Sequence, residues 1–385
     1  MTIVLSGINL FEGGAISVYR DCLSEFVRSG VTQRDRVIAF VHKAELFSDY
    51  SEQVTLIELP RSRTTWVFRL WYEYVYFYWY SRGRHVDVWL SMHDTSPSVR
   101  AARRYVYCHN PSPFMRTRLR DIRYSYKNVL VSAFYRYLYR INIRKNDGVI
   151  VQQEWMRREF TRMYGVSNVI VARPSLREDA LGDSVSGVDS RPAESEVGGR
   201  FIFIYPAYAR SFKNVEVVCE ACRLLQDRGL GGFQVLLTMD GTENRYSRDL
   251  VEKYGEMPSV NFIGVQSKSA VLDLYQQASC LVFPSLLETW GLPISEFKQT
   301  RKPILAADLP YAHETVGSYD AVCFFPPSDA VFLSELMQRE IRGIGIHTPS
   351  VATPLSEPFA ADWGDLLTML LLGEDGGAEV SRSPN

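Results

Sequence analysis

Cysteine and histidine are scarce in this chain, at six each in 385 residues. So few thiols cannot staple a chain of this length, which excludes a disulfide scaffold and points to a reducing compartment. No run of about 18 uncharged apolar residues occurs, so no membrane-spanning helix is expected. The nearest stretch, from Trp66 to Tyr80, is broken by Arg69 and Glu73. Met1–Gly7 has no basic head and its apolar run stops at a glycine. No secretory signal is therefore expected, and the expected location is cytoplasmic. Charge of one sign is lacking too: the net value is −1, which gives no global pointer to nucleic acid. Glycine and proline stand at ordinary levels, 25 and 18, which excludes collagenous and low-complexity chains. What is present, 46% apolar and 23% charged residues, suits a globular protein with an ample core. The length allows roughly two to three domains.

The charge is unevenly spread. Residues 100–145 carry 12 basic side chains and a single acid, Asp121, a local excess hidden by an acidic second half. Just before them lie Trp66, Phe68, Trp71, Tyr72, Tyr74, Tyr76, Phe77, Tyr78, Trp79 and Tyr80. Tyrosine and tryptophan suit a membrane–water interface, and each basic residue adds about 1 kcal/mol near an anionic leaflet. Segments 66–80 and 100–145 are therefore expected to make a peripheral membrane contact; a half-buried aromatic helix beside a solvated charged face is the plainer alternative. No nucleic-acid partner is expected.

Short β-branched runs alternate with helical spacing, which argues for parallel sheets covered on both faces. Strands are expected at Thr2–Ser6, Arg36–Val41, Val54–Leu59, Val86–Ser91, Tyr105–Cys108 and Gly148–Gln152, and again at Phe201–Tyr205, Gln234–Met239, Val260–Ile263, Cys280–Phe283 and Pro303–Ala307. Helices are expected at Val215–Leu225, Ala270–Ala278, from Pro293 onward, and at Phe359–Leu372. Between the two series, 176–199 is rich in Asp, Glu, Ser and Gly and reads as a linker. The expected organisation is thus an α/β domain over 1–175, the linker, a second α/β domain over 200–355, a C-terminal helix over 356–372 packing back on the first domain, and a disordered tail over 373–385. Two such domains create a cleft where ligands bind.

The strongest local signal runs from Phe283 to Glu296. It follows a buried strand and leads into a helix with Pro293 in its first turn. Amides around Gly291 and Leu292 suit a phosphate, and Glu288, Thr289 and Glu296 could address one extended ligand. Read by spacing alone, Glu288 is equally an ordinary loop acid and Glu296 an ordinary helix residue. Lys213, which opens a helix after strand Phe201–Tyr205, can put a point charge on a diphosphate; an exposed surface lysine is the alternative. Gly13 and Gly14 follow the first strand and let a backbone approach a ligand, though a tight turn explains them equally well. They do not form a Gly-x-Gly-x-x-Gly fingerprint, so dinucleotide binding has weak support. His109 stands at the end of a strand, where a site residue belongs; His93 is the alternative. Neither histidine has the serine or cysteine context of a hydrolase. Gln152-Gln153-Glu154-Trp155 ends another strand and borders the acceptor side in this reading. Cys219 and Cys222 stand in a helical pattern with no second pair and read as core thiols. No Asp-x-Asp triplet occurs.

Phe283–Glu296 resembles the Glu–seven residues–Glu signature of family-four retaining glycosyltransferases of the GT-B fold, the glycosyl transferases group 1. Asp308-Leu309-Pro310 with His313-Glu314 and Gly317 resembles the family's next block, and Val260–Gly264 its strand before the base-binding loop. The resemblance takes in most of 200–330 and, more loosely, 1–175. It implies two Rossmann-like doubly wound domains facing each other across a cleft. It further implies a retaining, metal-independent hexosyltransferase without a resident cofactor. Its donor is a UDP- or GDP-linked sugar, and its acceptor is a glycan or a lipid-linked hydroxyl, as in bacterial surface polysaccharide or lipopolysaccharide assembly. On this resemblance Glu288 holds the sugar, Glu296 the ribose and Lys213 the diphosphate. Gly264 and Val265 line the base loop, the Gly13-Gly14 loop lies near the diphosphate, and His109 lines the sugar pocket. The family's partner arginine usually stands five or six residues before the lysine, where this chain has Ala207 and Tyr208, and Arg210 is the substitute. A nucleotide-sugar epimerase of the same fold and a non-catalytic sugar-nucleotide binder are the competing readings.

Overall fold

The structure, a computed structural model, describes residues 1–11, 13–115, 124, 130, 132–173, 199–345, 347 and 350–372. The expected linker, apart from Gly199, and the expected tail lie outside the described residues. The chain divides into two units: 1–115, 130–175 and 355–385 form the first, and 116–129 with 176–354 the second. Within the second unit the ring of Tyr124 meets that of Tyr246 at 5.2 Å.

In chain order the strands are β1 (Thr2–Gly7), β2 (Arg36–Val41), β3 (Thr55–Glu58), β4 (Val88–Ser91), β5 (Arg103–Tyr107), β6 (Gly148–Val151), β7 (Val169–Ala172), β8 (Phe201–Tyr205), β9 (Phe233–Leu237), β10 (Val260–Phe262), β11 (Cys280–Phe283), β12 (Ile304–Ala307), β13 (Val322–Phe325) and β14 (Phe359–Ala360). The first unit's sheet runs β14-β7-β6-β5-β4-β1-β2-β3, and the second's β10-β9-β8-β11-β12-β13, with all pairings parallel. Strands β4, β6, β7, β11 and β12 are buried at every position. Helices cover both faces, so these strands read as unbroken apolar runs rather than as alternating ones. Each sheet reverses its winding once, between β1 and β4 in the first unit and between β8 and β11 in the second. At such a reversal the loops leave the two strand ends in opposite directions and open a crevice.

Local chemistry explains the elements. Helix Gly13–Arg28 lies so close on β1 that a Cβ on Gly7 would stand 2.5 Å from the Tyr19 ring, so only glycine fits there. Helix Val215–Asp227 buries Val215, Val218, Cys219, Cys222 and Leu225, one face at helical spacing. Burial pushes the Cys222 thiol up to about 12, so the pair behaves as inert core thiols. Several helices escaped expectation, Glu154–Tyr164 and Pro310–Val316 among them, and two more show why. Arg245–Tyr254 is mostly polar, but it starts on a reciprocal Asn244–Ser247 cap that its sequence does display. Ala330–Ile341 starts on Asp329, whose carboxylate accepts from the Phe332 amide. The helix expected from Phe359 begins at Trp363, because Phe359 and Ala360 are taken up as β14 beside β7. Trp363, Leu366 and Leu370 then join the core cluster of Tyr19 and Leu23. Truncating Leu366 there costs about 2–5 kcal/mol.

Candidate functional site

In the second unit the winding reversal brings two loops together. The loop after β8 ends in the short helical turn Ser211–Lys213, and the loop after β11 carries Glu288. Their backbones are joined where the Leu286 amide donates to the Phe212 carbonyl at 2.7 Å. Lys213 Nζ donates to Glu288 Oε1, forming an ion pair with side chains 17% and 16% exposed. Each group is thus mostly desolvated yet reachable from solvent.

Several side chains hold this arrangement in place. The Tyr205 hydroxyl donates to the Lys213 carbonyl at 2.9 Å. Asn214, in the left-handed region at φ 57° and buried, donates from Nδ2 to the carbonyls of Pro284 (3.2 Å) and Pro327 (2.7 Å). Asn214 was not among the expected site residues; its signal was an asparagine directly before an apolar helical run. Tyr311 donates to the Ser285 carbonyl at 2.6 Å, Thr315 to the Trp290 carbonyl, and the Trp290 indole to Ser295 Oγ at 2.9 Å. Gly291 adopts φ 88° against the rings of Phe283 and Tyr311, a conformation natural to glycine, and caps the short helix Leu292–Lys298. Thr289 and Leu292 are half-buried on either side of it.

Glu296, within that helix, is separate from the ion pair. Its carboxylate accepts from the Tyr275 hydroxyl at 3.2 Å, and burial holds its pKa above the usual carboxylate range. Arg210 does not join Lys213 and Glu288: it is exposed, with its guanidinium 5.4 Å from the centre of the Tyr208 ring. Gly264 lies beyond β10 at φ 72°, where a Cβ would approach Asp240 to 3.1 Å. Val265, next to it, is exposed.

The first unit presents a different picture. At the reversal between β1 and β4, His93 is fully buried, with Nε2 2.9 Å from Ser6 Oγ and Nδ1 3.0 Å from Thr95 Oγ1. Glu73 Oε1 lies 3.4 Å from Nδ1 and 3.1 Å from Nε of the buried Arg69. Both nitrogens of His93 are engaged inside the protein, so it offers nothing to a ligand. His109, one strand over, is half-buried and stacks on Tyr107 at 4.5 Å. Its Nε2 lies 2.8 Å from the Met92 carbonyl; since a carbonyl only accepts, the proton sits on Nε2 and Nδ1 is the acceptor. Burial pushes its pKa down, which keeps the ring neutral.

Asp94 fixes the turn that carries His109. It adopts φ 73°, and its Oδ1 accepts from the His109 amide (2.6 Å), the Asn110 amide (2.9 Å) and the Tyr139 hydroxyl (2.9 Å). Nothing in the sequence singled it out beyond its place after His93. Gly13 and Gly14 form the first turn of helix Gly13–Arg28. Gln152, Gln153 and Glu154, expected to border an acceptor, are instead buried, with Glu154 paired to Arg157 at 3.0 Å. They brace the helix that follows β6.

Residues 189–341 match the family described as glycosyl transferases group 1. A serotype-specific mannosyltransferase, WbdA of Escherichia coli, is 24% identical over 164 residues, 42% of this chain and 20% of that protein. The match thus spans about a fifth of the length of the curated relatives. Among solved structures, WaaG, a glycosyltransferase involved in lipopolysaccharide biosynthesis, superposes with a TM-score of 0.62 at 12% identity, covering 88% of this chain and 90% of that one. Anabaena HepE in complex with UDP-glucose superposes with a TM-score of 0.56 at 14% identity over the whole of both chains. The two parallel sheets with their alternating helices are an α/β fold of the GT-B kind, and the match to the glycosyl transferases group 1 falls in the second of them.

Proposed function

We propose that the protein moves a hexose from a nucleoside-diphosphate sugar to a hydroxyl of a glycan or lipid-linked acceptor, with retention at the anomeric carbon. The observation that carries this reading is the Lys213–Glu288 pair at the winding reversal of a group 1 region. A diphosphate arriving there competes with Glu288 for the ammonium. The pair opens, Lys213 turns to the phosphates, and Glu288 is released to accept hydrogen bonds from sugar hydroxyls. Glu296, held by Tyr275, accepts from the ribose, and Gly264 and Val265 flank the base. Amides of the Thr289–Leu292 turn add donors near the diphosphate, and Arg210 reaches it only by leaving Tyr208.

The bond from the anomeric carbon to the phosphate oxygen breaks as the acceptor oxygen bonds on the same face. The acceptor proton passes to a phosphate oxygen of the leaving group, so no protein base is consumed. Charge grows on the diphosphate as the anomeric centre becomes oxocarbenium-like, and a lysine already desolvated stabilises that change without reorganising. In the first unit, Nδ1 of His109 accepts from an acceptor-side or sugar hydroxyl, and the Gly13-Gly14 turn supplies amides.

The mannosyltransferase and lipopolysaccharide relatives support a hexose donor and a surface-glycan acceptor for this chain. Thermal unfolding in the presence of UDP, GDP and their hexose conjugates tests the donor, because a ligand stabilises the fold by RT ln(1 + [L]/Kd). One nucleotide should raise the midpoint clearly above the other. The labelled sugar should then appear in lipid-extracted glycan only when an acceptor is present. Donor consumed without an acceptor would instead indicate epimerisation, and tight nucleotide binding with no turnover would indicate a binder.

A further inference from the structure

The helix that begins at Trp66 is unusual in both shape and surface. It runs as α-helix over Trp66–Trp71, as π-helix over Tyr72–Tyr76, and as α-helix again over Phe77–Arg82. Four residues along an α-helix overshoot one turn by about 40°. A π turn holds more residues and cancels that drift. Val67, Trp71, Val75 and Trp79 therefore stay in one row, and all four are exposed, Trp71 at 46% and Trp79 at 61%. The opposite face buries Arg69 against Glu73 and the His93 carbonyl.

A second helix lies alongside. Trp66 meets Phe134 at 5.2 Å and Tyr135 at 5.7 Å. From that side Leu130, Phe134 and Tyr137 continue the exposed apolar surface at helical spacing, and Ile141, just past the helix end, is exposed as well. Arginines rim it: Arg61 stands over Phe68 at 5.9 Å, Arg82 over Trp79 at 5.3 Å, and Arg140 over Tyr137 at 5.8 Å. Between Leu59 and Val86 the only acid is Glu73, and it is buried. The face thus joins an exposed apolar row to positive charge alone. A second protein surface would need carboxylates spaced to match; a fluid anionic surface supplies negative charge at any spacing.

We propose that this face of the first unit docks on an anionic lipid bilayer, with Trp71 and Trp79 inserted at headgroup depth and the arginines on lipid phosphates. The contact is independent of the transfer chemistry, so the two readings fail separately. The test is co-sedimentation of the full chain with vesicles of phosphatidylcholine alone or mixed with phosphatidylglycerol. Binding should appear with the mixed vesicles, be weakened by salt, and shift tryptophan emission to the blue. Trp71→Ser/Trp79→Ser should weaken it at least tenfold, and Arg82→Gln or Arg140→Gln about fivefold each. These variants should keep the unfolding midpoint and the response to nucleotide, since all four side chains lie on the surface. Three outcomes would overturn the proposal: equal binding to both vesicle types, undiminished binding by the double variant, or no vesicle binding together with a dimer in solution that the double variant dissolves. The last would mark the face as an interface between copies of this chain.

Discussion

The two sheets of this protein wind alike, and each reverses once, yet the two reversals hold opposite kinds of chemistry. Between β8 and β11 the loops meet in a charged pair that is partly exposed and held by neutral neighbours. Between β1 and β4 the same position is filled by the protein itself: His93 spends both ring nitrogens on Ser6 and Thr95, and Arg69 and Glu73 close over it. Strand order says where a crevice opens. Whether it can receive a ligand depends on which side chains are already satisfied there. A buried network closed on itself is structure; a charged pair still reachable from solvent can receive a ligand.

That distinction is broken most directly at Lys213 and Glu288. Lys213→Ala and Glu288→Ala should each lower kcat by about 10²–10³, the scale seen when a preorganised charge or donor is removed from a transition state. Their unfolding midpoints should fall only modestly, because the partner left behind, though mostly buried, still reaches water. Steady-state kinetics beside thermal unfolding reads both quantities. Wild-type-like turnover in both variants would remove the assignment.

The buried network of the first unit should answer in the opposite sense. Arg69→Met strands the Glu73 carboxylate without its cation and should cost about 3–5 kcal/mol of stability, read as a lower urea midpoint. Arg69→Met/Glu73→Leu should recover most of that loss. If Arg69→Met instead left stability intact and abolished turnover, the two reversals would be functionally alike after all.

His109 lies between these extremes, half-buried but with one nitrogen unspent. His109→Ala should lower kcat about tenfold, the worth of one hydrogen bond. Protonation would turn the Nδ1 acceptor into a donor, so activity should be present above the imidazole pKa and lost as pH falls through it. Burial places that loss below the ordinary value of about 6.5. A pH profile of kcat in the unsubstituted protein, with its acid limb missing in His109→Ala, checks this.

How much of this could be read from the chain depends on the range of the interactions. Strands β2, β8 and β11 lie within their expected limits because each is a compact β-branched run between turn residues. Lys213 and Glu288 were both singled out one at a time, but their meeting depends on which strands are neighbours, and strand order is written nowhere locally. The residues that brace them were invisible for the same reason: Tyr205, Tyr311 and Thr315 look like core residues until their hydroxyls are seen on loop carbonyls. Arg210 shows the converse. Its place in the chain suggested a partner for Lys213, and its guanidinium lies over Tyr208 instead. Gln152 and Gln153 looked like strand-end polar residues facing a ligand, and packing turned them inward.

The finest comparison is within the second unit itself, between its two acids. Glu288 is held by a cation and Glu296 by a neutral hydroxyl, and burying its charge carries a cost at Glu296. That cost raises its pKa, and the Tyr275 hydroxyl opposes the rise by donating to the charged form. Tyr275→Phe should therefore raise it further. If Glu296 grips a ribose as a carboxylate, nucleotide affinity is present above this pKa and lost as pH falls through it, so the loss should begin at higher pH in the variant. At neutral pH the change should be small, about threefold in Kd. Folding stability should shift the other way, since a carboxyl whose folded pKa is raised favours the fold more as acid is added. Calorimetric titration of nucleotide across the acid range separates the two effects: a parallel fall in affinity at every pH would mean lost packing, and only a displaced midpoint would mean that the tyrosine tunes the acid.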